Sequence, residues 1–170
     1  MRAYSLDVLV VKMSYDWFMD PKLAELTADG NFREKVRALL CDLERLGEDA
    51  KIFEAKRTVD QQREKVRLGY SKTMRSNHLK RGADGGGKAA DIADRSKGWN
   101  ASRRFWFIIG ASCHARGLGW GGLFGMKSKQ KLAFHAAVRT LREAGWPESH
   151  SAYQAHIGWD PAHVEFGSNW

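Results

Sequence analysis

The chain has 170 residues, of which 43% are hydrophobic and 28% charged, the ordinary balance of a globular protein. That length fits one domain able to bury its apolar surface unaided, and its two cysteines, Cys41 and Cys113, exclude a disulfide framework or a cysteine-type zinc site. The net charge of +8 favours a polyanionic partner, but the basic residues are scattered and no zinc finger, helix-turn-helix or aromatic RNA-binding motif accompanies them, so nucleic acid is not expected.

The N-terminal segment has one apolar run, residues 8–11, between Asp7 and Lys12. It is too short and too charged for a signal peptide, and no segment has the length to span a bilayer. The expectation is a polypeptide made in the cytoplasm and not inserted in a membrane. Residues 31–46 read as a helix, with Phe32, Val36, Leu39, Leu40, Leu43 and Leu46 at three- and four-residue steps, Asn31 as cap and Gly47 as stop. Cys41 falls on its apolar side and is expected to be a buried free thiol. Residues 52–55 predict a short strand leading to Arg57, and Thr58-Val-Asp-Gln61 is a capping box opening a polar helix to about Leu68.

Residues 69–88 are rich in Gly, Ser, Lys and Arg and predict a long loop, which in a compact domain is usually functional or disordered. Residues 89–93 predict a strand carrying Asp91. Residues 100–116 predict a helix with Phe105, Ile108, Ile109 and Cys113 on one side, ended by Gly117. Gly117-Leu-Gly-Trp-Gly-Gly122 predicts a strand or turn where the backbone passes close to a neighbour. Residues 128–144 predict another helix through Leu132, Ala136, Val138 and Leu141, and Pro161 opens a last strand, 163–166. The order predicts a single α+β domain, 1–170, with a small antiparallel sheet flanked by helices. The seven tryptophans predict broad aromatic packing or an aromatic-lined cleft.

Two clusters carry chemistry. One runs from His78 through Gly87 and Ala89 to Asp91; the other is Asp160-Pro-Ala-His163-Val-Glu165. Taken singly, His78 also reads as a loop histidine, Asp91 as a strand-end carboxylate, Asp160 as a turn initiator and His163 as a surface histidine. Together they supply two imidazoles and a carboxylate, with a second carboxylate three residues before the last histidine. A catalytic zinc site needs such a set: three N and O ligands, an open position for water, and a nearby base. His163 and Glu165 share one strand face, and a charged Asp91 between Ala90 and Ile92 is costly to bury without a partner.

The segments Ser76-x-His78, Gly87-x-Ala89-x-Asp91 and Asp160-x-x-His163-x-Glu165 resemble the zinc D-alanyl-D-alanine carboxypeptidase and L-alanyl-D-glutamate endopeptidase family, which includes VanY-like enzymes and phage endolysins. Further matches stand in the same order: Phe53-Glu-Ala-Lys-Arg57 with Gln61 four residues on, Leu68-Gly-Tyr-Ser-Lys, and Gly117-Leu-Gly-Trp120-Gly-Gly. The resemblance implies a small sheet carrying zinc, held by His78, Asp91 and His163. It implies Asp160 as general base and Arg57 as the group that binds a substrate carboxylate or polarises the scissile carbonyl. The implied activity is hydrolysis of peptide bonds in bacterial peptidoglycan by a monomer that reaches the wall after release. Two departures stand out. Asp91 follows His78 by thirteen residues, a longer interval than the family's, which makes Asp84 a rival ligand. The stretch from Trp120 to Asp160 contains an extra helix, expected to wall the cleft. The competing reading is a zinc-stabilised binding domain without turnover, as in the hedgehog signalling domain, which resembles this family in fold; retention of Asp160 favours an enzyme.

Overall fold

The structure is a computed structural model and describes residues 20–170; the apolar run at 8–11 lies outside the described residues. Four strands, β1 (Ala50–Glu54), β2 (Ala89–Asp94), β3 (Gly119–Trp120) and β4 (His163–Glu165), form one antiparallel sheet in the order β1-β2-β4-β3. Around it lie α1 (Pro21–Ala24), α2 (Phe32–Arg45), α3 (Val59–Arg67), α4 (Arg103–Arg116) and α5 (Ser128–Glu143). This is the α+β arrangement read from the sequence. Among the described residues no helix is long and apolar enough to cross a membrane.

Helix α2 buries Phe32, Val36, Leu39, Leu40 and Leu43, the predicted stripe. Its start differs. Asn31 is in the left-handed region at φ 59° and makes no side-chain cap, because a 3-10 turn at Asp29–Asn31 feeds straight into the helix. Its end follows expectation: Gly47 at φ 79° lets Glu48 N–H reach Leu43 O at 2.9 Å and Gly47 N–H reach Glu44 O at 2.9 Å, satisfying the last carbonyls. Cys41, expected to be buried, is only half-buried, while Cys113 is fully enclosed.

Helix α4 departs further from its predicted one-sided pattern. Every residue from Arg104 to Cys113 is buried. Along that stretch the helix is covered by α2 on one side and by β3, the 3-10 turn Ser151–Gln154 and α5 on others, leaving only its ends to water. Arg104 is tolerated there because its guanidinium donates to Trp146 O at 2.9 Å and Leu46 O at 2.7 Å and pairs with Glu48. The buried face of α5 is Phe134, Ala137, Val138 and Leu141; Val138 and Leu141 of the predicted stripe are in it, while Ala136 and Leu132, the latter 70% exposed, are not. The ring of Phe134 has its centroid 5.0 Å from those of both Phe107 and Trp120, so α5 builds an aromatic core behind β3.

Gly110, midway along α4, faces that aromatic cluster. A Cβ there would lie 2.6 Å from Trp120 Cζ3 and 2.7 Å from Phe134 Cζ. Gly110→Ala therefore destabilises the protein by about 1–3 kcal/mol through overpacking, against alanine's better helix propensity. The readout is a lowered denaturant midpoint with an unchanged slope.

Candidate metal centre

Asp91 and His163 are directly opposed in the β2–β4 ladder, so both side chains leave the sheet on the same face. His78 arrives from the loop between α3 and β2, clamped to the residues after β1. Its carbonyl accepts from Arg57 N–H at 3.0 Å, and its ring Nδ1 is 2.7 Å from Ala55 O. A carbonyl only accepts, so Nδ1 carries the proton and Nε2 presents its lone pair to the site. His163 Nε2 is 3.2 Å from Glu165 Oε2, which also accepts from Asn77. A proton on that nitrogen leaves Nδ1 as a second lone pair facing inward.

The three inward atoms form a tight triangle. His78 Nε2 is 3.0 Å from Asp91 Oδ1, His163 Nδ1 is 3.2 Å from the same oxygen, and the two nitrogens are 3.3 Å apart. Three acceptors at that range repel one another unless a positive charge sits among them. Ligands about 2.0–2.1 Å from a tetrahedral zinc lie about 3.3 Å from each other, which the triangle's edges match. His78, Asp91 and His163 thus form a group able to hold a metal ion. The outward ring nitrogens, tied to a backbone carbonyl and to a carboxylate, are the supports that metal-bound imidazoles need.

The electrostatics agree with a centre built for positive charge. Burial would raise the Asp91 carboxyl, but hydrogen bonds and charge from His163 and His78 hold it far below the usual carboxylate range. Burial would lower the His163 imidazole, yet Asp91 and Glu165 hold it up at about 10. Asp160 lies at the turn into β4, its carbonyl accepting from His163 N–H at 3.1 Å. Its carboxylate stays outside the triangle. Burial and the Asp91 charge push the Asp160 carboxyl up, opposed by His163, His78 and Arg57.

Two glycines of the Gly117–Gly122 segment make room for this arrangement. A Cβ at Gly121 would sit 2.2 Å from Asp160 O and 2.9 Å from His163 Cβ, and one at Gly119 would sit 2.6 Å from Glu165 Cγ. The close approach predicted for that segment is thus an approach to the centre itself.

The resemblance implies that Arg57 binds a substrate carboxylate or polarises the scissile carbonyl, and Arg57 lies close to the centre. It is only 5% exposed, its fork is filled by Glu54, and its Nη1 donates to Gln62. Its Nη2 lies 3.8 Å from Asp91 Oδ2, so the guanidinium backs the carboxylate from inside the protein. Gln61 is spent on the capping box with Thr58. The residue that sequence reading missed is Gln62, the one buried residue of α3, which joins Arg57 to Ser71 and Thr73. A glutamine four residues after Thr58 gives no sign of this without the position of Arg57. Asp84 is not in the centre: it accepts from Thr27 Oγ1 at 2.7 Å, Ala28 N–H at 2.8 Å and Gly86 N–H at 2.9 Å, fastening the extra loop length to the chain before α2.

No protein-family model matches the chain, and no curated protein matches it significantly. Among solved structures it is similar to the L-Ala D-Glu endopeptidase ChiX of Serratia marcescens, at 19% identity and a TM-score of 0.48, with 85% of this chain and 83% of that one covered.

Glu165→Ala, which removes the support of His163, weakens metal binding about 10–100-fold with little change in fold, as read by metal titration against a chelating dye. Asp84→Asn leaves metal content unchanged and lowers stability in a pH-dependent way. Backbone and hydroxyl hydrogen bonds hold the Asp84 carboxyl at about 2, below its ordinary 3.8. Its contribution is therefore present in full above the ordinary value and is lost as pH falls through the folded value, so wild type and variant converge in melts at low pH.

Proposed function

We propose that the protein is a zinc-dependent peptidase acting on the stem peptides of bacterial peptidoglycan, as an L-alanyl-D-glutamate endopeptidase or a D-alanyl-D-alanine carboxypeptidase. The observation that carries this reading is the triangle of acceptors with a second carboxylate, Asp160, beside it and outside it. In this reading His78, Asp91 and His163 hold the ion, which when bound supplies Lewis acidity and an activated water. The ordered motif segments from Phe53 to Glu165 support the family, and the net charge of +8 suits an anionic wall.

The chain's own residues divide the remaining work. Asp160 accepts the proton of the attacking water and returns it to the leaving amine. Its raised carboxyl brings its basicity closer to neutral pH, where a general base works best. Asn77, Glu165 and the Ala55 carbonyl fix the two imidazole planes. Arg57 holds the outer oxygen of Asp91, leaving Oδ1 turned toward the imidazoles. The ring of Phe124, 5.7 Å from that of His163, lines one side of the centre with apolar surface.

Removing a positioned base costs about 10²–10⁴-fold in rate. Asp160→Asn accordingly retains zinc and its melting temperature but loses about that factor in the release of amino termini from purified peptidoglycan. His163→Ala loses the metal itself by elemental analysis. A chelator abolishes clearing of a cell-wall suspension and zinc restores it. A zinc-loaded wild type that releases no amino termini from peptidoglycan sinks the reading in favour of a non-catalytic domain, and full activity in Asp160→Asn removes Asp160 as the base.

A further inference from the structure

The mouth of the centre carries a cation and an indole that the mechanism above does not use. Lys72 is exposed on the connection from α3 to His78. Its position is fixed from both sides, because Gln62 Nε2 donates to Ser71 Oγ at 2.8 Å and to Thr73 O. Gln62 also holds Arg57, so the placement of Lys72 is tied to the residues behind Asp91. Opposite stands Trp159, the residue before Asp160, with 67% of its surface exposed. Its ring lies 5.4 Å from that of Phe124, the same ring that adjoins His163. Gly158 N–H donates to Gly122 O, and a Cβ at Gly158 would meet Phe124 O at 2.4 Å, so the strap before Trp159 lies flat on the segment after β3. Lys72 Nζ sits 5.9 Å from the centroid of Trp159, within cation–π range. Among the described residues Lys72 forms no ion pair with any carboxylate, so its charge is directed by the indole without being neutralised.

Resting on the peptidase reading, we infer that Lys72, held over Trp159, is the receptor for the free carboxylate that the substrate carries on its leaving residue. The two candidate bonds share one chemical feature. In the L-alanyl-D-glutamate bond, the D-glutamate that departs as the amine keeps a free α-carboxylate, since the stem continues through its γ-carboxyl. In the D-alanyl-D-alanine bond, the departing D-alanine carries the terminal carboxylate. In both, leaving nitrogen and carboxylate are attached to the same carbon. A cation held over the ring of Trp159, the residue before Asp160, is therefore placed to meet the carboxylate while Asp160 returns the proton to that nitrogen. Arg57 cannot take it without expelling Glu54 from its fork. Trp159 acts as a positioning residue: its π face directs the ammonium and its exposed ring covers the apolar part of the bound peptide.

The test compares L-alanyl-γ-D-glutamyl-L-lysine with the same peptide amidated at the glutamate α-carboxylate, and a stem pentapeptide ending in D-alanyl-D-alanine with its C-terminal amide. Uncleavable versions, with the scissile amide reduced to a methyleneamine, give affinities by calorimetry independently of turnover. The zinc-loaded wild type favours the free acid of its substrate about tenfold in kcat/KM and in affinity, the scale of one partly exposed charge-assisted contact. Lys72→Met abolishes the preference and Lys72→Glu reverses it. Trp159→Leu reduces it and Trp159→Phe retains it, all with unchanged zinc content and melting temperature. A wild type that treats acid and amide alike, or a Lys72→Met variant that keeps the tenfold preference, overturns the proposal. Cleavage without acid preference discards the receptor and leaves the peptidase standing. Acid-selective, Lys72-dependent binding with no cleavage of any peptide discards the peptidase and leaves the receptor.

Discussion

Asp91 brings a carboxylate into β2, a strand whose other residues are all buried, and the structure around it is arranged to make that charge tolerable. Desolvation of an ionised group in such a place is unfavourable by several kcal/mol, roughly, unless counter-charge and hydrogen bonds offset it. Oδ1 is met by the two imidazoles, and Oδ2 faces the guanidinium of Arg57. Each of these partners is buried in turn and needs support of its own.

That requirement propagates outward along two chains of contacts. On one side Arg57 is held by Glu54 and Gln62, Glu54 also pairs with Lys65 at 2.8 Å, and Gln62 reaches the loop at Ser71 and Thr73. On the other side His163 leans on Glu165 and Glu165 on Asn77. Both chains end in the 69–88 segment that supplies His78. The segment has no helix or strand, yet it is anchored at 71–73, at 77–78 and, through Asp84, at 84–86. A loop so tied positions a ligand without regular structure of its own.

The aromatic residues serve two separate purposes. Phe107, Trp120 and Phe134 fill the space between α4, α5 and β3, and Trp170 closes it from outside with its indole N–H on Leu118 O. Phe124 and Trp159 instead continue from the same inserted stretch to the edge of the metal centre. The stretch between Trp120 and Asp160 therefore stabilises the sheet edge behind the site with its helix and shapes the mouth with its ends.

Local chemistry was legible from the residues alone. The stripes of α2, the Thr58–Gln61 capping box, the glycine stop at Gly47 and the shared face of His163 and Glu165 depend on neighbours within a few positions, where spacing decides geometry. The grouping of His78, Asp91 and His163 was legible only through motif order, since spacing along a chain does not bring a loop to a strand. Tertiary structure decided what depends on distant partners. The all-round burial of α4 follows from elements on several sides at once, and the face of α5 from where Phe107 and Trp120 stand. The closed fork of Arg57, the role of Gln62 and the exclusion of Asp84 follow from which carboxylate or amide lies within three ångströms or so of each, a distance that strand register and loop anchoring set and that no local pattern encodes.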